Sequence, residues 1–286
     1  MRIQTIAEQL LYVTVRLETQ GTDPHKLGVG TSFIFGLKRE KGTFLCLVTN
    51  KHVIQGARIG RFFFTQRKGD GPDMGKRLNI EMDSFETRWF GHPDPEIDIT
   101  AMPLVPIIEE IKKKYGKEIF FKQLNQSLIP NAEQIEEFDA LEDIVFVSYP
   151  SGIYDTINLL PVFRRGITAT PIQIDYTGKP IFLIDASIFP GSSGSPVFVY
   201  KTSGYTDRKG AFVIRSGPRL FLAGIVSQVV IREETGTLEF VSIPTAKVPI
   251  IKTQQIIDLG VVFKASAIVE TIEDLFSLLE RPRSQE

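Results

Sequence analysis

Alternating apolar and polar positions dominate this chain, and they recur at short intervals between glycine-, proline- or charge-rich turns. The segment Leu11-Tyr12-Val13-Thr14-Val15-Arg16-Leu17-Glu18 puts Val13, Val15 and Leu17 on one face at period two, which predicts a strand with one buried side. Gly30 to Phe35 and Phe44 to Val48 flank the charged turn Lys38-Arg39-Glu40-Lys41-Gly42, as in a hairpin. Arg61 to Thr65 and Leu78 to Met82 are further short strands. Between 105 and 142 the period lengthens. Ile107 to Lys114 and Ala132 to Phe138 read as helices, with Asn131 capping the second. Strands return at Ile144-Val145-Phe146-Val147, Phe163 to Ala169, Ile181 to Asp185, Val197 to Tyr200 and Leu220 to Gln228. Val229-Val230-Ile231 then turns at Thr235-Gly236 into Leu238 to Ile243. The tail is helical: Ile268, Ile272, Leu275 and Phe276 fall on one face.

One turn among these strands has the composition of a chemical site. Phe189-Pro190-Gly191-Ser192-Ser193-Gly194-Ser195-Pro196-Val197-Phe198 is a run of small residues between apolar stretches. Such a bend can present a serine hydroxyl with backbone N–H groups beside it, the combination acyl transfer requires. The chain has three histidines. His25 and His92 lie among glycine and proline and read as exposed turns. His52 follows the apolar run Phe44 to Thr49, where a scaffold strand would hold an imidazole at the edge of a cleft. Asp98 sits between Ile97 and Ile99, and a carboxylate in apolar surroundings needs a partner. Asp94 and Glu96, in the proline-rich turn before it, read as solvated. No histidine follows Ser193, which excludes the Ser…Asp…His order of the α/β-hydrolases.

The chain order His52, Asp98, Ser193 resembles that of the chymotrypsin-like (trypsin-like) serine peptidases, especially the disulfide-free bacterial branch with the HtrA-type enzymes. Separations of 46 and 95 residues lie close to that family's ~45 and ~93. Thr49-Asn50-Lys51-His52-Val53 is similar to its Thr-Ala-Ala-His segment, and Asp98-Ile99-Thr100 to its Asp-Ile-Ala. Gly191-Ser192-Ser193-Gly194-Ser195-Pro196 resembles its nucleophile motif, and Gly224-Ile225-Val226-Ser227 the strand lining its substrate channel. Together these span residues 28 to 245.

The resemblance implies an all-β fold of two six-stranded antiparallel barrels. Residues 1–104 would carry His52 and Asp98, and 143–250 would carry Ser193. Residues 105–142 would be a partly helical linker, and 251–286 a helical segment packed on the second barrel. It further implies that Ser193 is the nucleophile, His52 the general base and Asp98 its orienting carboxylate. The N–H groups of Gly191 and Ser193 would form the oxyanion hole. Ser187 would lie at the base of the primary pocket, with Ser227, Gln228 and Val229 along a wall suited to small or medium apolar side chains. Ser192 stands where the digestive members carry an aspartate that pairs with a new N-terminus. Activation by N-terminal cleavage is therefore not expected, and the hole is either preformed or shaped by substrate or partner.

Composition narrows the alternatives. A net charge of −1 gives no electrostatic case for nucleic acid or an anionic membrane. Lys112-Lys113-Lys114 reads as a solvated helix face, and Arg164-Arg165-Gly166 as a strand edge rather than a ligand site. The single cysteine, Cys46, excludes intrachain disulfides, reads as a core residue and favours a reducing, cytoplasmic compartment. No secretory leader and no run of about 18 apolar residues is evident. No metal cluster or phosphate-binding loop is evident either, so no cofactor is expected. The expected substrate is a polypeptide, and the 105–142 linker is a candidate docking site for a protein partner. The competing readings are a latent double-barrel scaffold or peptide-binding module, and a nucleophile that acts on esters or in self-processing only.

Overall fold

The structure is a computed structural model that describes residues 3–23, 25–150, 153–201, 204–206, 210–214, 217–237 and 250–280. The first half comprises α1 (Ile6–Leu10), β1 (Thr14–Gln20), β2 (Leu27–Arg39), β3 (Gly42–Thr49), the single turn α2 (Lys51–Ile54), β4 (Ile59–Lys68), β5 (Gly71–Asp83), β6 (Phe90–Gly91) and β7 (Thr100–Pro103). After it come α3 (Val105–Tyr115), β8 (Ile119–Phe120), β9 (Leu124–Asn125) and α4 (Ala132–Glu136). The second half holds β10 (Asp143–Ser148), β11 (Val162–Thr168), β12 (Ile181–Asp185), β13 (Pro196–Lys201), the small hairpin β14 (Gly204–Thr206) and β15 (Phe212–Ile214), β16 (Arg219–Thr237), β17 (Ile250–Lys264) and α5 (Ala265–Glu280).

The second half closes: β10-β11-β12-β17-β16-β13 is a six-stranded antiparallel barrel. The first half does not, which corrects the expectation of two closed barrels. Its strands form a sheet in the order β5-β4-β1-β2-β3-β7-β6, with β8 added to β4 and β9 to β2. The physical reason lies in α3. Its buried Ile107 and Ile111 join Phe62, Phe64, Leu78 and Ile80 in one apolar cluster, so this apolar face of the sheet is covered by a helix. Pro106 in its first turn and left-handed Gly116 (φ 61°) after its last residue delimit α3, and Lys112 to Lys114 lie exposed on it. Asn131 caps α4 through a reciprocal box with Gln134.

Two further expectations change. The first part of the segment expected to be helical, residues 251–264, is not: it belongs to β17, which pairs with both β12 and β16 and closes the barrel. The ribbon β16–β17 also runs past the expected turn, since β16 continues through Gly236 to Thr237 and pairs there with Ile250. The expected strand Leu238 to Ile243 lies outside the described residues. Helix α5 then packs on both halves rather than on the barrel alone. Ala267, Ile268, Ile272 and Leu275 share a core with Phe33, Cys46, Ile97 and Ile99 from the first sheet and with Phe198, Leu222 and Ile225 from the barrel. No helix among the described residues is long and apolar enough to cross a membrane.

Candidate active site

The hairpin β2–β3 ends at Thr49, and α2 starts at Lys51 with only Asn50 between, so residues 50–52 leave the sheet in a tight turn. Each of the three engages the loop that carries Asp98. Asn50 Nδ2 donates to the Asp98 carbonyl at 2.7 Å. Lys51 Nζ donates to the carbonyls of His92 (3.0 Å) and Asp94 (2.9 Å). His52 donates its backbone N–H to Asp98 Oδ1 at 3.0 Å, and its ring Nδ1 lies 2.6 Å from Asp98 Oδ2. The Asp98 side chain is 16% exposed and the imidazole 42% exposed, so the carboxylate backs a ring whose other edge faces solvent. Burial acts to raise the Asp98 carboxyl. Hydrogen bonds from His52 and Ser227, together with attraction to His52, outweigh it and hold the group below the usual carboxylate range.

His92 is not the exposed turn residue its neighbours suggested. It is buried, accepts the Asp94 N–H at Nδ1 (3.0 Å) and places Nε2 3.4 Å from Glu270 on α5. Asp94 and Glu96 are exposed, as is His25.

On the barrel side, Gly191 and Gly194 adopt φ of 91° and 85°, values that favour glycine, and they bracket Ser193 in a tight loop. Gly194 has a second reason to be glycine: an added Cβ would lie 1.8 Å from the Thr31 carbonyl. Within the loop the Ser192 N–H donates to the Phe189 carbonyl and the Ser195 N–H to the Ser192 carbonyl. Among the described residues neither the Gly191 N–H nor the Ser193 N–H has an acceptor. Two free donors beside a hydroxyl are the arrangement that a developing oxyanion needs.

The Ser193 hydroxyl donates to the Ser227 carbonyl at 3.1 Å, and no hydrogen bond joins it to the imidazole. The Ser227 hydroxyl donates to Asp98 Oδ2 at 2.6 Å. Ser227 therefore bridges the two halves, a role that its expected place in a pocket wall did not reveal. Of the other residues expected in the pocket, Ser187 is half-buried and its carbonyl accepts from Arg164 Nη2 at 2.8 Å. The Arg164 guanidinium also lies over the Phe189 ring, 5.3 Å from its centre, so this arginine braces the segment leading into the Ser193 loop. Gln228 is exposed and pairs with Val261; Val229 pairs with Gly260, whose bare Cα leaves room for Ile188. No group of three or more ionisable ligands able to hold a metal ion occurs among the described residues.

The sequence profile of the trypsin-like peptidase domain matches residues 30–203, more than half of the chain and the span that holds His52, Asp98 and Ser193. The chain belongs to that family. Among solved structures, this trypsin-like chain is similar to the active form of the Rv3671c protease from M. tuberculosis, with 15% identity, TM-score 0.44 and coverage of 94% of this chain and 82% of that one. The HtrA-type protease AlgW, solved with a decapeptide, gives 15% identity and TM-score 0.45 over 96% of this chain and 66% of its own. A variant of the tobacco etch virus protease gives 12% identity and TM-score 0.46 over 100% and 85%. No curated protein matches the sequence.

Proposed function

We propose that this protein is a serine endopeptidase that hydrolyses peptide bonds through His52, Asp98 and Ser193. The observation that carries the reading is the coincidence, on one seam, of a carboxylate-oriented imidazole (2.6 Å) with a serine loop whose Gly191 and Ser193 N–H groups lack acceptors among the described residues. In the first step Ser193 Oγ attacks the scissile carbonyl carbon while its proton passes to His52 Nε2. Asp98 steadies the resulting imidazolium, and the Gly191 and Ser193 N–H groups take the charge on the carbonyl oxygen. Collapse expels the amine, which takes the proton from His52. Water then repeats the sequence on the acyl-enzyme. The segments at Ser187 and at Ser227 to Val229 would flank the side chain before the scissile bond. The partner is a polypeptide substrate.

A second reading, a latent scaffold, is favoured by one contact: the Ser193 hydroxyl points to the Ser227 carbonyl instead of to His52. Catalytic hydrogen bonds are often incomplete without substrate, and an extended peptide that donated to the Ser227 carbonyl would displace the hydroxyl toward the imidazole. Digestion of a peptide library separates the two. The endopeptidase reading expects internal cleavage products from the wild-type protein and none from Ser193→Ala. A wild-type protein that yields no products, or a Ser193→Ala protein that yields the same ones, contradicts it.

A further inference from the structure

We infer that Thr31 is a positioning residue that holds the nucleophile loop in its oxyanion-binding shape; the inference rests on the peptidase reading above. Thr31 is fully buried at a point where β2 still pairs with β1 through Arg16 but has no strand on its other side, since pairing with β3 begins only at Phe33. The Ser193 loop takes the place of the absent strand. Thr31 N–H donates to the Ser193 carbonyl at 3.0 Å, and Thr31 Oγ1 donates to the Gly191 carbonyl at 2.8 Å. The same hydroxyl accepts the Tyr149 N–H at 3.2 Å, and the Thr31 carbonyl accepts from Thr49 Oγ1 at 2.8 Å.

The consequence lies in the peptide planes. The Gly191–Ser192 unit is clamped at both ends, its carbonyl by Thr31 Oγ1 and its N–H by the Phe189 carbonyl. The Ser193–Gly194 unit is clamped likewise, its carbonyl by Thr31 N–H and its N–H by the Val226 carbonyl at 2.9 Å. The Ser192–Ser193 unit, which carries one oxyanion donor, lies between these two fixed planes. The Pro190–Gly191 unit, which carries the other, abuts the first of them at a glycine whose φ of 91° would otherwise be soft. Thr31 supplies one end of each clamp. Only a hydroxyl both donates to Gly191 and accepts from Tyr149, so valine, its near isostere, leaves two buried backbone groups unpaired.

A donor set held this way is used mainly by the transition state, which fixes the test. The probe is a peptide boronic acid built on the sequence that the wild-type protein cleaves best, compared with the matching peptide amide. The boronate takes the Ser193 oxygen at boron as the hydroxyl proton passes to His52, and one of its B–OH oxygens enters the hole. For Thr31→Val the expected result is a loss of about 10²–10³-fold in boronate affinity and in kcat, the size of one oxyanion donor. Affinity for the amide and KM should stay within about threefold of wild type. Thr31→Ser, which keeps the hydroxyl, should restore most of the boronate affinity. If the valine variant is not recovered folded, Thr31→Ala removes the same hydroxyl with less crowding. Equal boronate affinity in wild type and the hydroxyl-less variants, or equal losses for boronate and amide, overturns the assignment while leaving the peptidase reading intact. A wild-type protein that binds boronate no more tightly than amide overturns both.

Discussion

A carboxylate between Ile97 and Ile99 keeps its charge only if donors replace water, and at Asp98 both oxygens receive them. Oδ1 takes the His52 N–H; Oδ2 takes the His52 ring and the Ser227 hydroxyl. Because the folded pKa is depressed, the stability that Asp98 contributes is fully present above its unfolded value of about 3.9 and is lost as pH falls through the folded value. In denaturant titrations the stability gap between wild type and Asp98→Asn should thus shrink as pH falls from about 5 to below about 4. A gap that widens across that acid window would contradict the assignment. The same substitution should lower turnover roughly 10⁴-fold, because the asparagine amide no longer fixes the His52 tautomer. Cys46, by contrast, takes no part in this chemistry. Burial pushes its thiol up to about 12, and no solvent reaches it.

At the level of elements, what was legible in the sequence follows a physical rule: local signals were readable, and partners distant in sequence were not. The hairpin β2–β3, the Asn131 cap and helix α3 all rest on contacts between near neighbours in the chain. The order of His52, Asp98 and Ser193 was legible from local context: His52 follows an apolar run, Asp98 lies between two isoleucines and Ser193 sits in a turn of small residues. Asn50 and Lys51 gave no signal, since an amide and an amine in a turn look ordinary until the 92–98 loop folds back onto them. Thr31 was hidden for the same reason, its partners lying in the Ser193 loop and at Tyr149. Strand β17 was missed because its apolar pairs Ile250-Ile251, Ile256-Ile257 and Val261-Val262 do not alternate. Register shifts opposite Val226–Gln228 and Val229–Ile231 move its faces partway along. The Arg164 brace behind Ser187 and Phe189 likewise needed the barrel to bring β11 and the Ser193 loop together.

For the molecule as a whole, the proposed chemistry depends on how firmly an open sheet and a closed barrel are held at one seam, because His52 and Asp98 lie on one side and Ser193 on the other. Helix α5 lies across that seam. Its Ile268, Ile272 and Leu275 are buried in the shared core. Arg39 pairs with Glu273 at 2.6 Å and stacks its guanidinium on Phe276, which also meets Phe44 edge-on. Truncating Ile272 to alanine should cost about 2–5 kcal/mol in urea unfolding, as one cooperative loss. A cost below about 1 kcal/mol, or two separate transitions, would show that the helix does not join the halves. The central claim, that Ser193 is a nucleophile activated across this seam, is tested most directly by labelling the folded protein with a fluorophosphonate and locating the adduct by mass spectrometry. The account predicts a single adduct on Ser193 that is lost in His52→Ala; no adduct, an adduct on another residue, or one that forms equally well without His52 would contradict it.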